Sequence, residues 1–266
     1  MTGTVHASPS CPSSPPSSPS LLAVTAVHKH YGGVRANDGV DLVVPLGAIV
    51  GLIGPNGSGK TTLFNVMAGS VSPDSGQVKL DGQDITRLEP AQIARRGLLR
   101  SFQHAGVFGG LTCLDNLLVS HRRTGEPLRA MWLRPPAVDC DRAHALLSLV
   151  GLGAKSSQLA GELSFGQRKL LELAMALMNE PRLLLLDEPT AGVSPALIPE
   201  LVEKLRHVNA SLGITLLVIE HNMEVIMGLA HHVFCMARGR VLASGTPAQV
   251  RADERVLQAY LGGAGA

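Results

Sequence analysis

The sequence predicts an α/β fold built on a parallel central sheet, for three reasons. Residues 48–53, 183–186 and 214–219 are short apolar runs, which are typical of strands buried on both faces. Helical patterns separate them, and the clearest one spans residues 197–208 and ends at Gly213. Residues 233–237 and 241–243 form a predicted hairpin that turns at Arg238-Gly239, so we also expect an antiparallel part. Strands that alternate with helices favour a parallel α/β core.

The bulk composition bounds the class of protein. At 266 residues the chain fits one domain with an inserted subdomain better than two full domains, and its 45% hydrophobic content can fill a sizeable core. The formal net charge of +2 gives no support to a nucleic-acid partner. No apolar run approaches the ~18 residues of a membrane span. The four cysteines are scattered, so we expect reduced thiols in a cytosolic protein.

The order of patterns along the chain suggests its organisation. Residues 1–20 are mostly Ser, Pro, Thr and Ala and predict a disordered tail ahead of a folded domain over residues 21–266. Strand patterns follow at residues 22–26, 40–44 and 77–80. From about residue 88 to 165 helical patterns dominate, at residues 90–96, 114–119 and 142–150, with an exposed loop over residues 128–138. We expect this region to be a helical insertion.

Residues 54–62 match the phosphate-binding pattern G-x-x-x-x-G-K-[ST], with a predicted strand before them and a helix after them. Such a turn surrounds an anion with backbone N–H groups at the positive end of a helix dipole. Lys60 can reach the β- and γ-phosphates of a nucleotide, and the Thr61 hydroxyl can ligate Mg²⁺. A chance glycine-rich turn is the alternative, which the flanking elements disfavour. The predicted nucleotide contacts are Gly54, Pro55, Asn56, Gly57, Ser58, Gly59, Lys60, Thr61 and Thr62.

Two carboxylates follow the apolar run at residues 183–186. The carboxyl ends of parallel strands meet at one edge of the sheet, so Asp187 and Glu188 are expected beside the phosphate loop. Asp187 suits a contact with Mg²⁺, and Glu188 can polarise a water molecule aimed at the γ-phosphate. An acidic helix cap is the alternative interpretation.

Two further polar residues are candidates for the same site. His221 follows the strand at residues 214–219, so a third strand end converges there, and we predict a γ-phosphate contact rather than a capping or packing role. Gln103 can reach Mg²⁺ or the attacking water through its amide, although its spacing alone does not decide this.

The segment Leu163-Ser164-Phe165-Gly166-Gln167 opens a predicted helix over residues 168–178. Ser164 and Gln167 have the spacing of a capping box, and a helix N-terminus with Ser and Gly also offers an anion site. The phosphate loop of the same chain does not need a second such site. Two phosphate-binding helix ends therefore suggest that two chains close on shared nucleotide.

The order of these motifs resembles the ATPase subunits of ATP-binding cassette (ABC) transporters, over roughly residues 21 to 262. The resemblance implies a RecA-like P-loop NTPase core with an inserted helical subdomain and an antiparallel β part. It also implies ATP with Mg²⁺ as cofactors, and ATP held between two cassettes, with Ser164, Gly166 and Gln167 acting on the partner's nucleotide. Tyr31 stands where the family stacks an aromatic ring on adenine.

Residues 31–36, 188–195 and 259–262 are similar to the subset that imports branched-chain amino acids or urea. The resemblance thus implies an importer ATPase on the inner face of the cell membrane. Its implied partners are permease subunits, a second identical or paralogous cassette and, indirectly, a solute-binding protein. Ser194 stands where most cassettes have Asp, which leaves communication between the two sites open.

Three other functions are alternatives. A lipid-exporter ATPase is the closest of them. A soluble, non-transport ABC ATPase usually carries two cassettes or a long coiled coil, and this chain has one cassette and no heptads. A nucleotide-sensing module without catalysis would lack the base, whereas Glu188 is present.

Overall fold

The computed structural model describes residues 19–100, 106–121 and 136–261. Within these residues the chain forms two sheets. The strands, in chain order, are β1 (Ser20–Tyr31), β2 (Val34–Pro45), β3 (Ile49–Ile53), β4 (Ser75–Leu80), β5 (Gln83–Asp84), β6 (Leu98–Arg100), β7 (Leu183–Asp187), β8 (Thr215–Ile219), β9 (His232–Ala237) and β10 (Arg240–Gly245).

A six-stranded sheet with the order β10-β9-β3-β8-β7-β6 forms the centre. Strands β6, β7, β8, β3 and β9 are parallel, and β10 pairs antiparallel with β9. The predicted strands at residues 48–53 and 183–186 and the predicted hairpin are therefore confirmed, and β3 begins one residue later than predicted, at Ile49. A smaller sheet with the order β2-β1-β4-β5 is wholly antiparallel. The strand predicted at residues 40–44 belongs to the twelve-residue β2.

Nine α-helices complete the described part of the chain: α1 (Lys60–Met67), α2 (Pro90–Arg95), α3 (Cys113–Ser120), α4 (Ala137–Leu149), α5 (Phe165–Leu177), α6 (Ile198–Leu212), α7 (Met223–Leu229), α8 (Pro247–Ala252) and α9 (Glu254–Leu261). Gly69 (φ +74°) and Gly213 (φ +65°) have the left-handed backbone expected of residues that end α1 and α6. None of the helices in the described ranges is long and apolar enough to span a bilayer.

The region predicted to be a mostly helical insertion also contains a short strand. Residues 98–100, within the region predicted from about residue 88, form β6 and pair in parallel with residues 183–185 of β7. Three residues carry no periodic signal of their own, and their extended conformation depends on a strand more than 80 residues away. The helical part described between β6 and β7 consists of α3, α4 and α5. Most of the loop predicted at residues 128–138 lies outside the described residues, and α4 begins at Ala137.

Alternate residues of the central strands enter two hydrophobic cores. Ile49, Leu184 and Leu216 join a cluster with apolar residues of helices α3 to α7. Val50, Leu185 and Leu217 join a second cluster with α1 and the antiparallel sheet. Because β3, β8 and β7 are adjacent and parallel, their carboxyl ends bring the segments after Ile53, Ile219 and Leu186 to one edge of the sheet.

Candidate nucleotide-binding site

The turn from β3 into α1 is a closely packed loop in which two positions require glycine. Gly54 has φ +145°, and a Cβ atom there would lie 2.1 Å from the carbonyl oxygen of Met236. Gly59 has φ +100°, and its Cβ would lie 2.1 Å from the carbonyl oxygen of Ala36. No side chain fits either position, so the glycines let the loop pack against the backbone of neighbouring elements.

Lys60 is 8% exposed and lies within this loop. Its Nζ donates hydrogen bonds to the carbonyl oxygens of Gly54, at 2.7 Å, and Pro55, at 3.0 Å. Burial lowers the pKa of Lys60, while the nearby Glu188, Cys235 and Asp187 act in the opposite direction. The ammonium group is thus a partly desolvated positive charge beside both predicted carboxylates.

The remaining loop residues differ in their exposure to solvent. Asn56, Gly57 and Thr61 are exposed, and Pro55 and Thr62 are half-buried. The buried Ser58 accepts a hydrogen bond from the Gly239 N–H through its carbonyl oxygen, at 3.1 Å. The loop therefore turns some of its residues to solvent and fixes others to the core.

Asp187 ends β7 and is buried, with 7% of its surface exposed. The Arg100 guanidinium, on β6, donates to its carboxylate at 2.7 Å and also to the Asn65 side chain on α1. Arg100 thereby ties the strand that carries Asp187 to the helix that carries Lys60. Neither Arg100 nor Asn65 was predicted from the sequence. The contacts of Arg100 with Asn65 and with Asp187 depend on which strands become neighbours in the fold.

Glu188 and His221 approach each other across the ends of β7 and β8. Nδ1 of His221 lies 3.7 Å from Oε1 of Glu188, and both side chains are partly exposed. The Glu188 backbone is left-handed, with φ +49°, and its N–H donates to the Ile219 carbonyl oxygen at 2.9 Å. This hydrogen bond fixes the backbone of Glu188 at the end of the neighbouring strand.

A second carboxylate beneath this pair was not predicted from the sequence. Glu220 is fully buried, and its Oε1 accepts hydrogen bonds from the Thr190 N–H, at 2.9 Å, and hydroxyl, at 2.6 Å. Its Oε2 has no hydrogen-bond partner in the described part of the chain and lies 4.0 Å from Nδ1 of His221. Glu220 thus connects the segment after Glu188 with the segment that carries His221. The sequence signal that could have identified Glu220 is its position as a charged residue directly after the apolar strand β8.

The predicted capping box at the start of α5 is confirmed. The Ser164 hydroxyl accepts from the Gln167 N–H, and the Gln167 side chain accepts from the Ser164 N–H. Helix α5 begins at Phe165, three residues earlier than predicted. A Cβ atom at Gly166 would lie 3.3 Å from the Leu197 side chain, so this helix end packs beside the segment that follows Glu188.

Tyr31 ends β1, is 49% exposed, and has the Lys29 ammonium 5.6 Å from the centre of its ring. Gln103 lies outside the described residues. Ser194 is exposed and precedes a short 3₁₀ helix (Pro195–Leu197) without capping it through its side chain.

The geometry defines a class of protein. A glycine-rich loop with a buried lysine, a helix N-terminus and a carboxylate pair at the carboxyl ends of parallel strands are the parts of a P-loop nucleotide-binding fold. Among the described residues, no group of three or more His, Cys, Asp or Glu side chains is arranged to hold a metal by itself.

Comparisons with known proteins specify the family. The sequence model described as "ABC transporter" matches residues 37–191, and the one described as "Branched-chain amino acid ATP-binding cassette transporter" matches residues 240–266. The chain therefore belongs to the ABC transporter family, as an ATP-binding cassette. Membership of this family implies ATPase activity coupled to transport.

Similar proteins cover almost the whole chain. The high-affinity branched-chain amino acid transport ATP-binding protein BraF of Pseudomonas aeruginosa is 37% identical over 249 residues, covering 91% of this chain and 98% of its own. LivG of Escherichia coli strain K12, with the same description, is 37% identical and covers 92% and 99%. A crystal structure of the ADP conformation of an ABC transporter cassette has a TM-score of 0.83 at 35% identity, covering 91% and 99%.

Proposed function

We propose that this chain is the ATP-hydrolysing subunit of an importer for branched-chain amino acids. The similar proteins named for this transport span nearly its whole length, and a model named for it matches the C-terminal segment. These similarities favour branched-chain amino acids over urea and an importer over a lipid exporter or a soluble ATPase. The observation that carries the catalytic part is the convergence of Lys60, Asp187, Glu188 and His221 at one sheet edge.

In this proposal the phosphate loop, Gly54 to Thr62, binds the β- and γ-phosphates through backbone N–H groups and Lys60. The desolvated ammonium of Lys60 supports this role, because a charge in a partly buried site interacts strongly with phosphate oxygens. Tyr31 stacks on adenine, and its exposed ring supports that role.

Mg²⁺ fits the donors at this site. Asp187 offers a buried carboxylate and Thr61 a hydroxyl, both hard oxygen ligands, and Gln103 adds an amide oxygen. A site with one or two protein ligands suits Mg²⁺, which keeps several waters and binds substrate phosphates. When bound, the ion would neutralise charge on the β- and γ-phosphates.

Glu188 accepts the proton of the attacking water, and His221 contacts the γ-phosphate. Their separation of 3.7 Å supports a joint role, since an imidazole beside the carboxylate restrains the direction from which Glu188 approaches its water. Gln103 contacts the same water or the ion. The Glu188 N–H bonded to Ile219 supports a fixed position for the base.

Ser164, Gly166 and Gln167 complete the site of a second cassette in trans. The hydrogen bonds of the Ser164 and Gln167 side chains run only to each other's backbone in the described part of the chain, so the exposed Ser164 can meet another molecule. ATP then draws two cassettes together, and hydrolysis removes the γ-phosphate that joins them. We further propose that residues 21–266 form the ATPase domain and that permease subunits hold the cassette on the inner face of the membrane. Residues 1–18 of the predicted tail lie outside the described residues.

The test is solute-dependent hydrolysis by the assembled transporter. The tagged chain is purified from membranes with its bound permease subunits, reconstituted in liposomes, and assayed for ATP hydrolysis with a solute-binding protein and leucine, isoleucine, valine or urea. We expect stimulation by the three amino acids and not by urea, and no hydrolysis by the Lys60→Ala variant. Stimulation by urea alone, or a failure to co-purify with membrane subunits, would contradict the proposal.

A further inference from the structure

A hydrogen bond joins helix α9 to the phosphate loop. The Gly54 N–H donates to the hydroxyl oxygen of Tyr260, on α9, at 2.8 Å, although the two residues are 206 positions apart in sequence. Gly54 is the first residue of the phosphate loop. Tyr260 lies in the segment matched by the branched-chain amino acid cassette model, residues 240–266. The nucleotide site is thus joined to the family-specific end of the chain.

The Gly54 N–H belongs to a buried and closely packed residue. Gly54 is buried and its φ is +145°, and the Met236 carbonyl oxygen lies against the face where a Cβ atom would stand. A buried N–H without an acceptor destabilises the fold, because it has lost its hydrogen bond to water and gained no other. The Tyr260 hydroxyl supplies the acceptor at the point where the chain leaves β3 and enters the loop.

Helix α9 holds this hydroxyl in place from the core side. Val256 is 1% exposed, and both Val256 and the Tyr260 ring pack against the larger hydrophobic cluster. Burial and the neighbouring Cys235 raise the pKa of Tyr260 to about 12, while the hydrogen bond from Gly54 acts in the opposite direction. The hydroxyl is therefore protonated at neutral pH and accepts through an oxygen lone pair.

We propose that Tyr260 is a positioning residue for the phosphate loop, so that helix α9 braces the first residue of the nucleotide site. This inference rests on the proposed function, since it takes the loop to bind ATP. In this proposal Tyr260 acts on the loop and does not itself contact the nucleotide. It fixes the peptide at Gly54, whose carbonyl oxygen accepts from Lys60. The Tyr260 hydroxyl therefore accepts from the N–H of Gly54, and the Lys60 ammonium donates to the carbonyl oxygen of the same residue.

Two measurements on the full chain test the proposal with the Tyr260→Phe variant, which keeps the ring and removes only the acceptor. Calorimetric titration with Mg·ATP gives affinity, and hydrogen exchange over residues 50–60 reports on the loop amides. We expect ATP binding to weaken by about tenfold, because a loop that shifts to solvate the Gly54 N–H must return to its binding conformation before it holds ATP, and we expect exchange at Gly54 to accelerate. Leu257→Ala is the matched control, because Leu257 is 50% exposed on the same helix.

The outcomes separate this inference from the proposed function. Wild-type protein that fails to bind ATP contradicts the proposed function. Wild-type protein that binds ATP, together with a Tyr260→Phe variant of unchanged affinity and unchanged loop exchange, overturns the role of Tyr260 alone. A lower melting temperature without change at the loop also overturns that role, as does equal weakening by Leu257→Ala. Weakened affinity and faster Gly54 exchange in Tyr260→Phe alone support the brace.

Discussion

The Arg100 guanidinium donates a hydrogen bond to the Asp187 carboxylate across 2.7 Å, although the two residues are 87 positions apart. The Asp187 side chain is 2% exposed and that of Arg100 is 19% exposed, so water screens the pair weakly. Arg100 comes from the edge strand β6 and also donates to Asn65 on α1. The proposed metal-binding carboxylate is therefore held by a cation from the strand that leads to Gln103.

Arg100→Met should destabilise the protein by about 2–4 kcal/mol, because it leaves a buried carboxylate without its partner. The change is read from chemical denaturation. Arg182→Met is the matched control, since Arg182 donates to Asp81 at the same 2.7 Å but both side chains are about half exposed. We expect the control to lose less than about 1 kcal/mol. Equal losses would contradict a special role for the buried pair. Saturating Mg·ATP should reduce the loss in Arg100→Met, because the cation then neutralises Asp187.

Glu220 should matter for both stability and catalysis. Glu220→Ala removes the acceptor of two Thr190 hydrogen bonds in a fully buried position, so we expect a loss of about 2–3 kcal/mol in denaturation. Glu220→Gln keeps an oxygen for Thr190 and should lose less. The alanine variant should also hydrolyse ATP more slowly, because Glu220 connects Thr190, which follows Glu188, with the segment that carries His221. A Glu220→Ala variant that is as stable and as active as wild type would contradict this role of Glu220.

How much of this was visible in the sequence depends on how local each feature is. The phosphate loop, the Asp187 strand end and the Ser164–Gln167 capping box are set by residues within a few positions, so their patterns could be recognised. Arg100 with Asp187 and Thr190 with Glu220 depend on which strands become neighbours, which no local pattern encodes. Strand β6 was missed for the same reason, and Tyr260 meets Gly54 only after the whole chain has folded.

Tyr31→Ala should weaken ATP binding by about 1–3 kcal/mol if the ring stacks on adenine. Tyr31→Phe is the control, because it keeps a ring to stack. Inorganic triphosphate lacks a base and should bind both variants as it binds wild type. A lower melting temperature with unchanged ATP affinity would show that the half-exposed ring serves only the strand end.

Ser164→Arg should leave ATP binding by the monomer almost unchanged but block ATP-dependent dimerisation, because a bulky side chain occupies a helix end meant for a γ-phosphate. Mixing it with Lys60→Ala protein pairs a normal phosphate loop with a normal Ser164 segment once per dimer. If the chain pairs with itself, light scattering should detect an ATP-dependent dimer in the mixture and in neither parent. Loss of monomer ATP binding in Ser164→Arg would mean that this helix end serves its own chain's nucleotide.

The most direct test of the proposed ATPase mechanism is Glu188→Gln, measured for hydrolysis and ATP binding in the same preparation. Glu180→Gln is the control, because Glu180 has a similar left-handed backbone, φ +48°, and lies on the surface outside the site. If Glu188 is the base, hydrolysis should fall by about 10²-fold or more while ATP affinity is kept, and the variant should accumulate as an ATP-bound dimer. Near-normal turnover by Glu188→Gln would contradict the proposed mechanism.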